Sequence, residues 1–398
     1  MLDREAVWQL ARSVKPYAME ARHHIHQHPE LGFQEKETSA YIADQLRAMG
    51  YEPLTGIGGY GVKAVLQGGQ PGPTVALRAD IDALPIQEET ALPFASTNDG
   101  VMHACGHDVH TATLLATAKA LKAIASELAG NVVFIFQPAE EVNPGGASLM
   151  IKDGVLENPK VDAIFGVHVA PGLTAHHMEF GAGAMMASPD DIEVTIIGSG
   201  GHGAHPEITV DPVLVACQAV TLLQQIVSRN VGPLQSAVIT IGMIHGGSAP
   251  NVIPDRVTFQ GTVRTLDPQV RKLMPQRIEQ VLKGVCDAAG ATYKLHYDYG
   301  YPVLVNDAAA TEAARTAALA VLGDDHVHVM GPTMGGEDFA YYLEQVPGSF
   351  ARLGAMTLGT VNPTGLHTSR LFLDEEALPT GVAYFVSVVQ RYLAAKMR

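Results

Sequence analysis

The segment MHACGHDVH (102–110) sets Cys105 and His107 in a turn, with Gly106 between them, just ahead of a long helical pattern. A thiolate and an imidazole two residues apart can bind one metal or an adjacent pair, because both are good zinc donors. The helix N-terminus would also lower the thiol pKa. The same segment is compatible with a buried cysteine and an Asp108 that caps the helix. QPAEE (137–141) directly follows a buried strand, and in open α/β sheets ligands sit beyond the carboxyl ends of strands. The adjacent Glu140 and Glu141 repel one another beside apolar neighbours, which is costly unless positive charge offsets it. A metal cluster supplies such charge, so that one carboxylate ligates while the other hydrogen-bonds a bound water; a solvated loop is the plainer account. His168 lies near the end of the apolar strand AIFGVHVAPG and alone reads as a core histidine or a ligand. Asp80 and Asp82 end an earlier strand, and period-two geometry puts both on one face. They pair with Arg78, cap a turn, or orient metal-bound imidazole.

Each feature is weak alone. Four strand ends (Asp80/Asp82, Cys105/His107, Glu140/Glu141, His168) nevertheless offer soft and hard donors where an α/β sheet places its site. His367, in GLHTSRLFLDEE, closes the set from the C-terminal part, although spacing alone does not select it. The positioning elements are legible. TVALRADID (74–82), NVVFIFQ (131–137) and VDAIFGVHV (161–169) read as buried strands, and DVHTATLLATAKALKAIASEL (108–128) as a helix. Near the N-terminus Trp8, Leu10, Ala11 and Val14 recur at helical spacing until Pro16 interrupts, and a second helical stretch runs from Glu37 to Met49. Between them HHIHQHPELGF resembles a metal tract but reads better as a structural or cleft-edge loop. Strands separated by such helices imply a largely parallel, helix-covered sheet.

After about Ser188 the rhythm changes to strand, helix, strand, strand, helix, strand, the split βαββαβ order of a ferredoxin-like domain. The predicted organisation is one α/β domain in two parts, 1–187 and 300–398, interrupted by an α+β domain at 188–299. Within the insert GSGGHG (198–203) fits G-x-G-x-x-G, the dinucleotide-binding fingerprint. Its context fails: Pro206 and Pro212 stand where the helix should begin, and no Asp or Glu occurs from 213 to 230. The glycines read instead as a flexible turn presenting His202 and His205.

Composition narrows the classes. With 398 residues, 47% hydrophobic and 17% charged, the chain can bury a sizeable core, and disordered, collagen-like and coiled-coil readings are excluded. Asp+Glu outnumber Lys+Arg 41 to 26, a net charge of −15 that argues against nucleic-acid and anionic-membrane partners. Cys105, Cys217 and Cys286 are widely spaced without a C-x-x-C, which fits reduced thiols in the cytoplasm. The first residues lack a signal peptide's apolar block, and no run of about 18 apolar residues suggests a membrane span.

ELGFQE, ALRADIDALPIQE, MHACGHDVHTA, FQPAEE, GVHV, GGHGAHP, NVIPDRVTFQGTVR, MGGEDFAYYL and GLHTSRL occur in that order over nearly the whole chain. Together they resemble the dinuclear metal amidohydrolases, which include plant auxin-conjugate hydrolases, hippurate hydrolases and bacterial N-acyl-amino-acid deacylases. C-G-H-D-x-H with Q-P-A-E-E is the specific part of the likeness. The resemblance implies a zinc-peptidase-like α/β/α sandwich with an inserted ferredoxin-like lid. It implies two divalent ions (zinc, manganese, cobalt or nickel) bound by Cys105, His107, Glu141, His168 and His367. Glu140 then matches the general base, and Asp82 the acid that orients a ligand. His202 matches a histidine that polarises the scissile carbonyl, often across a dimer. Asn251 and Arg264 match residues that hold the substrate's carboxylate. The implied activity is hydrolysis of the amide of small N-acyl amino acids or similar conjugates, by a cytoplasmic homodimer or larger homo-oligomer paired through the lid. A metallo-dipeptidase or aminopeptidase of the same fold, a conjugate-binding protein without turnover, and a purely structural insert are the competing readings. Two stretches depart from the family pattern: His205-Pro206-Glu207, where x-Pro-His is expected, and Thr368-Ser369-Arg370, where a proline usually follows nearby.

Overall fold

Asp3 opens the first helix, α1 (Arg4–Gln27), by accepting a hydrogen bond from the Ala6 amide at 2.9 Å. In this computed structural model, which describes residues 1–396, α2 (Lys36–Ala48) and strands β1 (Leu54–Ile57), β2 (Gly61–Gln67) and β3 (Gln70–Asp80) follow. Then come α3 (His107–Ala123), β4 (Ala129–Gln137), β5 (Ala163–Thr174) and β6 (Met178–Phe180). The middle of the chain forms β7 (Ser188–Ile197), α4 (Pro212–Gln225), β8 (Ala237–Gly246), β9 (Arg256–Thr265), α5 (Pro268–Ala289) and β10 (Thr292–Asp298). Further along are α6 (Ala308–Leu322), the short β11 (Val327–Val329), β12 (Gly348–Met356) and α7 (Ala377–Lys396). One unit comprises Met1–Gly183, Val305–Gly331 and the residues from Asp338 onward; the other comprises Ala184–Leu304 and Pro332–Glu337. The second therefore takes in more chain than the expected 188–299 insert. Backbone hydrogen bonds explain the extra segment: Thr333 donates to the Met185 carbonyl and Ala187 to the Gly335 carbonyl, both at 2.9 Å.

The first unit is built on an eight-stranded sheet ordered β1-β2-β4-β3-β5-β12-β6-β11. β3 lies parallel to β4 and β5, and β5 parallel to β12, whereas the β1–β2 edge is antiparallel. The sheet is thus parallel at its centre and mixed at its margins. Val132 to Phe136 of β4 have no exposed surface, as expected for a strand covered on both faces. α3 is buried at every position from His107 to Ala118. A helix buried on every side belongs to an interior, and α1 and α7 cover it. The α3 N-terminus therefore delivers its residues into a dry environment.

Two readings of the N-terminal region need correction. α1 does not stop at Pro16, and the HHIHQ tract is its last turns rather than a loop. An interior proline costs roughly 3 kcal/mol. Val7, Ala11, Val14, Ala18, Ala21 and Ile25 form one buried stripe on α1, and burying each valine or isoleucine returns about 1.5–3 kcal/mol. Tertiary packing overrides the break.

The second unit is the βαββαβ arrangement, with a four-stranded antiparallel sheet ordered β8-β9-β7-β10 and α4 and α5 packed on its core. Asp211 and Asp267 cap those helices, each followed by proline at the first helical position. Among the described residues no helix is long and apolar enough to cross a membrane.

Candidate metal centre

The centre is assembled from the loops that follow β3, β4 and β12, the middle of β5 and the α3 N-terminus. Gly106 sits at φ +86° before α3, and a Cβ there would lie 2.4 Å from Val169 Cγ2. Only glycine fits that turn, which sends Cys105 and His107 to the same side of β5. His168 Nδ1 is 2.8 Å from the Val169 carbonyl, leaving Nε2 3.3 Å from Cys105 Sγ. His367, itself at φ +59°, brings Nε2 to 3.3 Å from the same sulfur and 3.1 Å from Glu141 Oε1. The structure therefore gathers Cys105, His107 and His168 in one group, Cys105, Glu141 and His367 in a second, and His107, Glu140 and Glu141 in a third.

Asp82 ties these groups together. Its carbonyl and Oδ1 lie 2.9 and 3.2 Å from His107 Nδ1, and its Oδ2 accepts the Glu141 amide at 3.0 Å. Asp80 does different work from the shared face expected of the pair. β3 ends at Asp80, which takes Arg78 Nη1 and His110 Nδ1, each at 2.6 Å.

The donor chemistry fits a cation. With His107 Nδ1 turned to Asp82, Nε2 is buried without a hydrogen-bond partner, and such an atom costs about 1–3 kcal/mol if nothing meets it. Glu141 Oε1 and His367 Nε2 approach to 3.1 Å without hydrogen-bond geometry, as donors do when both point at a third centre. Ligands at zinc's usual bond lengths stand about 3.4 Å apart in a tetrahedron, close to the sulfur–nitrogen separations here. Burial pushes the Cys105 thiol well above its ordinary range; His107 opposes this, while Glu141 and Glu140 reinforce it. A cation would reverse that balance. Burial, with His110 adding to it, lowers His168 to about 3, so its imidazole is the neutral, ligating form.

Sequence reasoning missed the scaffold behind these donors. His110 accepts the Val169 amide at 2.8 Å through Nε2, so its proton sits on Nδ1 facing Asp80. Its i+3 spacing from His107 on one helix face was the available signal. Asp108, read as a cap, is instead bound by Arg22 Nε at 3.0 Å and His26 Nδ1 at 2.9 Å, anchoring the α3 N-terminus to α1. Burial works against charge on His26, yet Asp108 and Glu88 outweigh it and lift its pKa to about 9. Glu89 fastens the His367 loop: it accepts from Ser369 Oγ at 2.9 Å and Arg370 Nε at 3.2 Å. The unusual Thr368-Ser369-Arg370 stretch thus has its own latch.

Ala139, just before the glutamate pair, is held at φ +51° with its amide 2.7 Å from Glu35 Oε1. Burial, with Asp82 adding repulsion, raises Glu35 to about 7 against backbone hydrogen bonds that lower it. The folded chain then binds a proton that the unfolded chain has released, so stability falls as pH climbs from about 4.5 to 7. The loss approaches about 3 kcal/mol in the metal-free protein. Glu35→Gln keeps the acceptor and removes the titration. Its melting temperature should rise relative to wild type between pH 5 and pH 8; a constant difference would refute the assignment.

In the second unit His202 and Asn251 are neighbours. His202 pairs with Val252 across a two-stranded ribbon, and the Gly203 amide donates to the Asn251 carbonyl at 2.8 Å. Both side chains are exposed, while Arg264 is half-buried on β9 beside Thr262. Among the described residues no hydrogen bond links Arg264 to the ribbon. His205 Nδ1 and Glu207 Oε1 form an exposed pair at 3.3 Å.

Loops at strand ends that gather thiol, imidazole and carboxylate donors on a centrally parallel sheet define a divalent-metal hydrolase. The chain belongs to Peptidase family M20/M25/M40, whose pattern matches residues 76–391. It is 45% identical over 305 residues to an N-acyl-L-amino acid amidohydrolase of Geobacillus stearothermophilus, covering 77% of this chain and 82% of the relative. A hippurate hydrolase of Campylobacter jejuni is 39% identical over 373 residues, covering 94% and 95%. A solved Bacillus subtilis structure, a dinuclear metal-binding peptidase of the M20 family, superposes with a TM-score of 0.84 at 38% identity, covering 96% and 99%.

Proposed function

We propose that this enzyme hydrolyses the amide bond of N-acyl amino acids and similar small conjugates, using two divalent ions of zinc, manganese, cobalt or nickel. The observation that carries the reading is the convergence of Cys105, His168, His367 and Glu141 beside His107 Nε2, which is buried without a hydrogen bond. Cys105, His107, Glu141, His168 and His367 would hold the ions, with Asp82 fixing the His107 tautomer. When bound, the ions supply Lewis acidity, which makes water nucleophilic near neutral pH and draws electron density from a carbonyl. Glu140 takes the proton from the attacking water and delivers it to the departing nitrogen, so the C–N bond breaks without releasing an amide anion. His202 donates toward the developing oxyanion. Arg264, whose planar fork suits a carboxylate, binds the free end of the substrate with Asn251. Names of relatives, an amidohydrolase and a hippurate hydrolase, support this substrate class.

The three cysteines are unpaired, with Cys105 and Cys286 buried, which suits a reducing cytoplasm. The exposed apolar residues Val238, Met243 and Ile244 on the edge strand β8 support pairing of two copies through the lid. Stripping metal should lower turnover more than about a hundred-fold, since several kcal/mol of transition-state stabilisation are lost. Zinc, manganese, cobalt and nickel are then restored separately, and each form is assayed on N-acyl amino acids and on unblocked dipeptides. Preferential cleavage of the acylated compounds is expected. A preference for free α-amino groups would replace this reading with an aminopeptidase, and undiminished turnover after stripping would end it.

A further inference from the structure

The chain has 17 histidines, and three that the catalytic reading does not use meet at the margin of the first unit's sheet. β11 is the outermost strand and pairs in parallel with β6, Val327 opposite Met178 and His328 opposite Glu179. Met178 is fully buried and Val327 packs against the same core, so the residues flanking them turn to the other face. His326 and His328 therefore share one face across a single extended residue, and His177, just before Met178, joins them from the neighbouring strand. His177 Nδ1 lies 2.8 Å from His328 Nε2, with the two rings within 9° of parallel. The His326 ring centroid is 4.6 Å from that of His177, and His326 Nδ1 is shut off from solvent without a hydrogen-bond partner. His176 faces elsewhere, with Nδ1 3.0 Å from Thr380 Oγ1.

We propose that His177, His326 and His328 form a binding site for a divalent transition-metal ion, sharing no residue with the Cys105 centre. Two imidazoles flank the extended Val327, His326 ending a tight turn and His328 on β11, with a third just ahead of β6; turned toward a common point they supply three nitrogen donors and leave a fourth position open. Nitrogen donors of this kind select zinc, nickel or copper over magnesium or calcium. A ligating imidazole must be uncharged. Burial lowers the His177 pKa, and His326, His328 and His176 lower it further, so the ligating form prevails at neutral pH. Arg352, on the strand beyond β6, does not oppose a cation strongly because Glu179 pairs with it at 3.5 Å. The χ2 torsion of histidine is broad, so the rings turn toward a shared ion at little cost.

The test is a metal count on the metal-loaded enzyme after equilibration with zinc buffered near micromolar free concentration. Wild type should carry one zinc per chain more than either His328→Ala or His177→Ala, with hydrolysis unchanged in both. Losing a partner behind a ligand already weakens a metal site about 10–100-fold, so losing a ligand should weaken this one by at least about a hundred-fold. Equal zinc content in wild type and variants, or an extra equivalent that survives both substitutions, would overturn the proposal. His328 is exposed and His177 half-buried, so both variants should fold, and their agreement separates ligand loss from local damage. The Cys105 centre is intact in every protein compared, so the outcome does not depend on the amidohydrolase reading.

Discussion

Glu140→Gln should lower kcat by about a hundred- to ten-thousand-fold, the range that a positioned general base contributes, while metal content stays at the wild-type level. Glu140 is only 6% exposed, and a carboxylate oxygen lies within 4.8 Å of donor atoms of His107 and Glu141. Glutamine keeps the shape but cannot take a proton from water. Because the residue acts on the reacting atoms, KM should change little and the loss should fall on kcat. Glu141→Gln differs in kind, since an acceptor facing His367 and Cys105 would weaken and metal content should drop with activity. Near-normal turnover in Glu140→Gln would move the base elsewhere.

Arg78→Leu should cost the first unit about 3–5 kcal/mol, the usual penalty for stranding buried charge. The guanidinium is 1% exposed; it reaches Asp80 at 2.6 Å, Gln137 at 2.8 Å and Asp338 at 2.9 Å, and stacks 5.8 Å over Phe339. Burial raises Asp338 to about 6 even though Arg78 and Gln137 lower it; without Arg78 two buried carboxyls lose their countercharge. A fall in melting temperature on the order of 5–10 °C follows for a unit of this size. Asp80 also orients His110 and stands 3.8 Å from His107 Nε2, so the variant should bind metal more weakly as well. A melting temperature within a degree or so of wild type would show that the network is dispensable.

The central strands were legible because a strand covered on both faces must be a continuous apolar run, as NVVFIFQ and VDAIFGVHV are. The β1–β2 edge was not read. Glycines 56, 58, 59 and 61 interrupt its pattern, and its pairing partner, β4, lies far along the chain. α1 was cut at Pro16 because local propensity cannot see the stripe it buries. GSGGHG, which matches a phosphate-binding pattern, instead gives Gly201 and His202 to a short ribbon, and only a single turn of tight helix, Pro206–Ile208, follows it. In the metal centre, Cys105-x-His107 and the glutamate pair carry a local signal. His367 meets Cys105 from 262 residues away, a relation that no periodicity encodes. Glu35 and Glu89 were missed for a related reason: each acts through a residue named by chemistry and has no distinctive spacing of its own, whereas His110 did carry a signal in its i+3 spacing from His107.

The order of the chain has a consequence for synthesis. β5 gains its second neighbour only when β12, residues 348–356, has been made, and His367 follows later still. At roughly 5–20 residues per second, a ribosome emits Cys105, His107 and His168 well before their last companion. For those seconds the nascent sheet carries an open edge and a thiol with an incomplete set of partners. The full donor set is therefore assembled only after β12 has been made, and the intervening βαββαβ segment has time to fold on its own first.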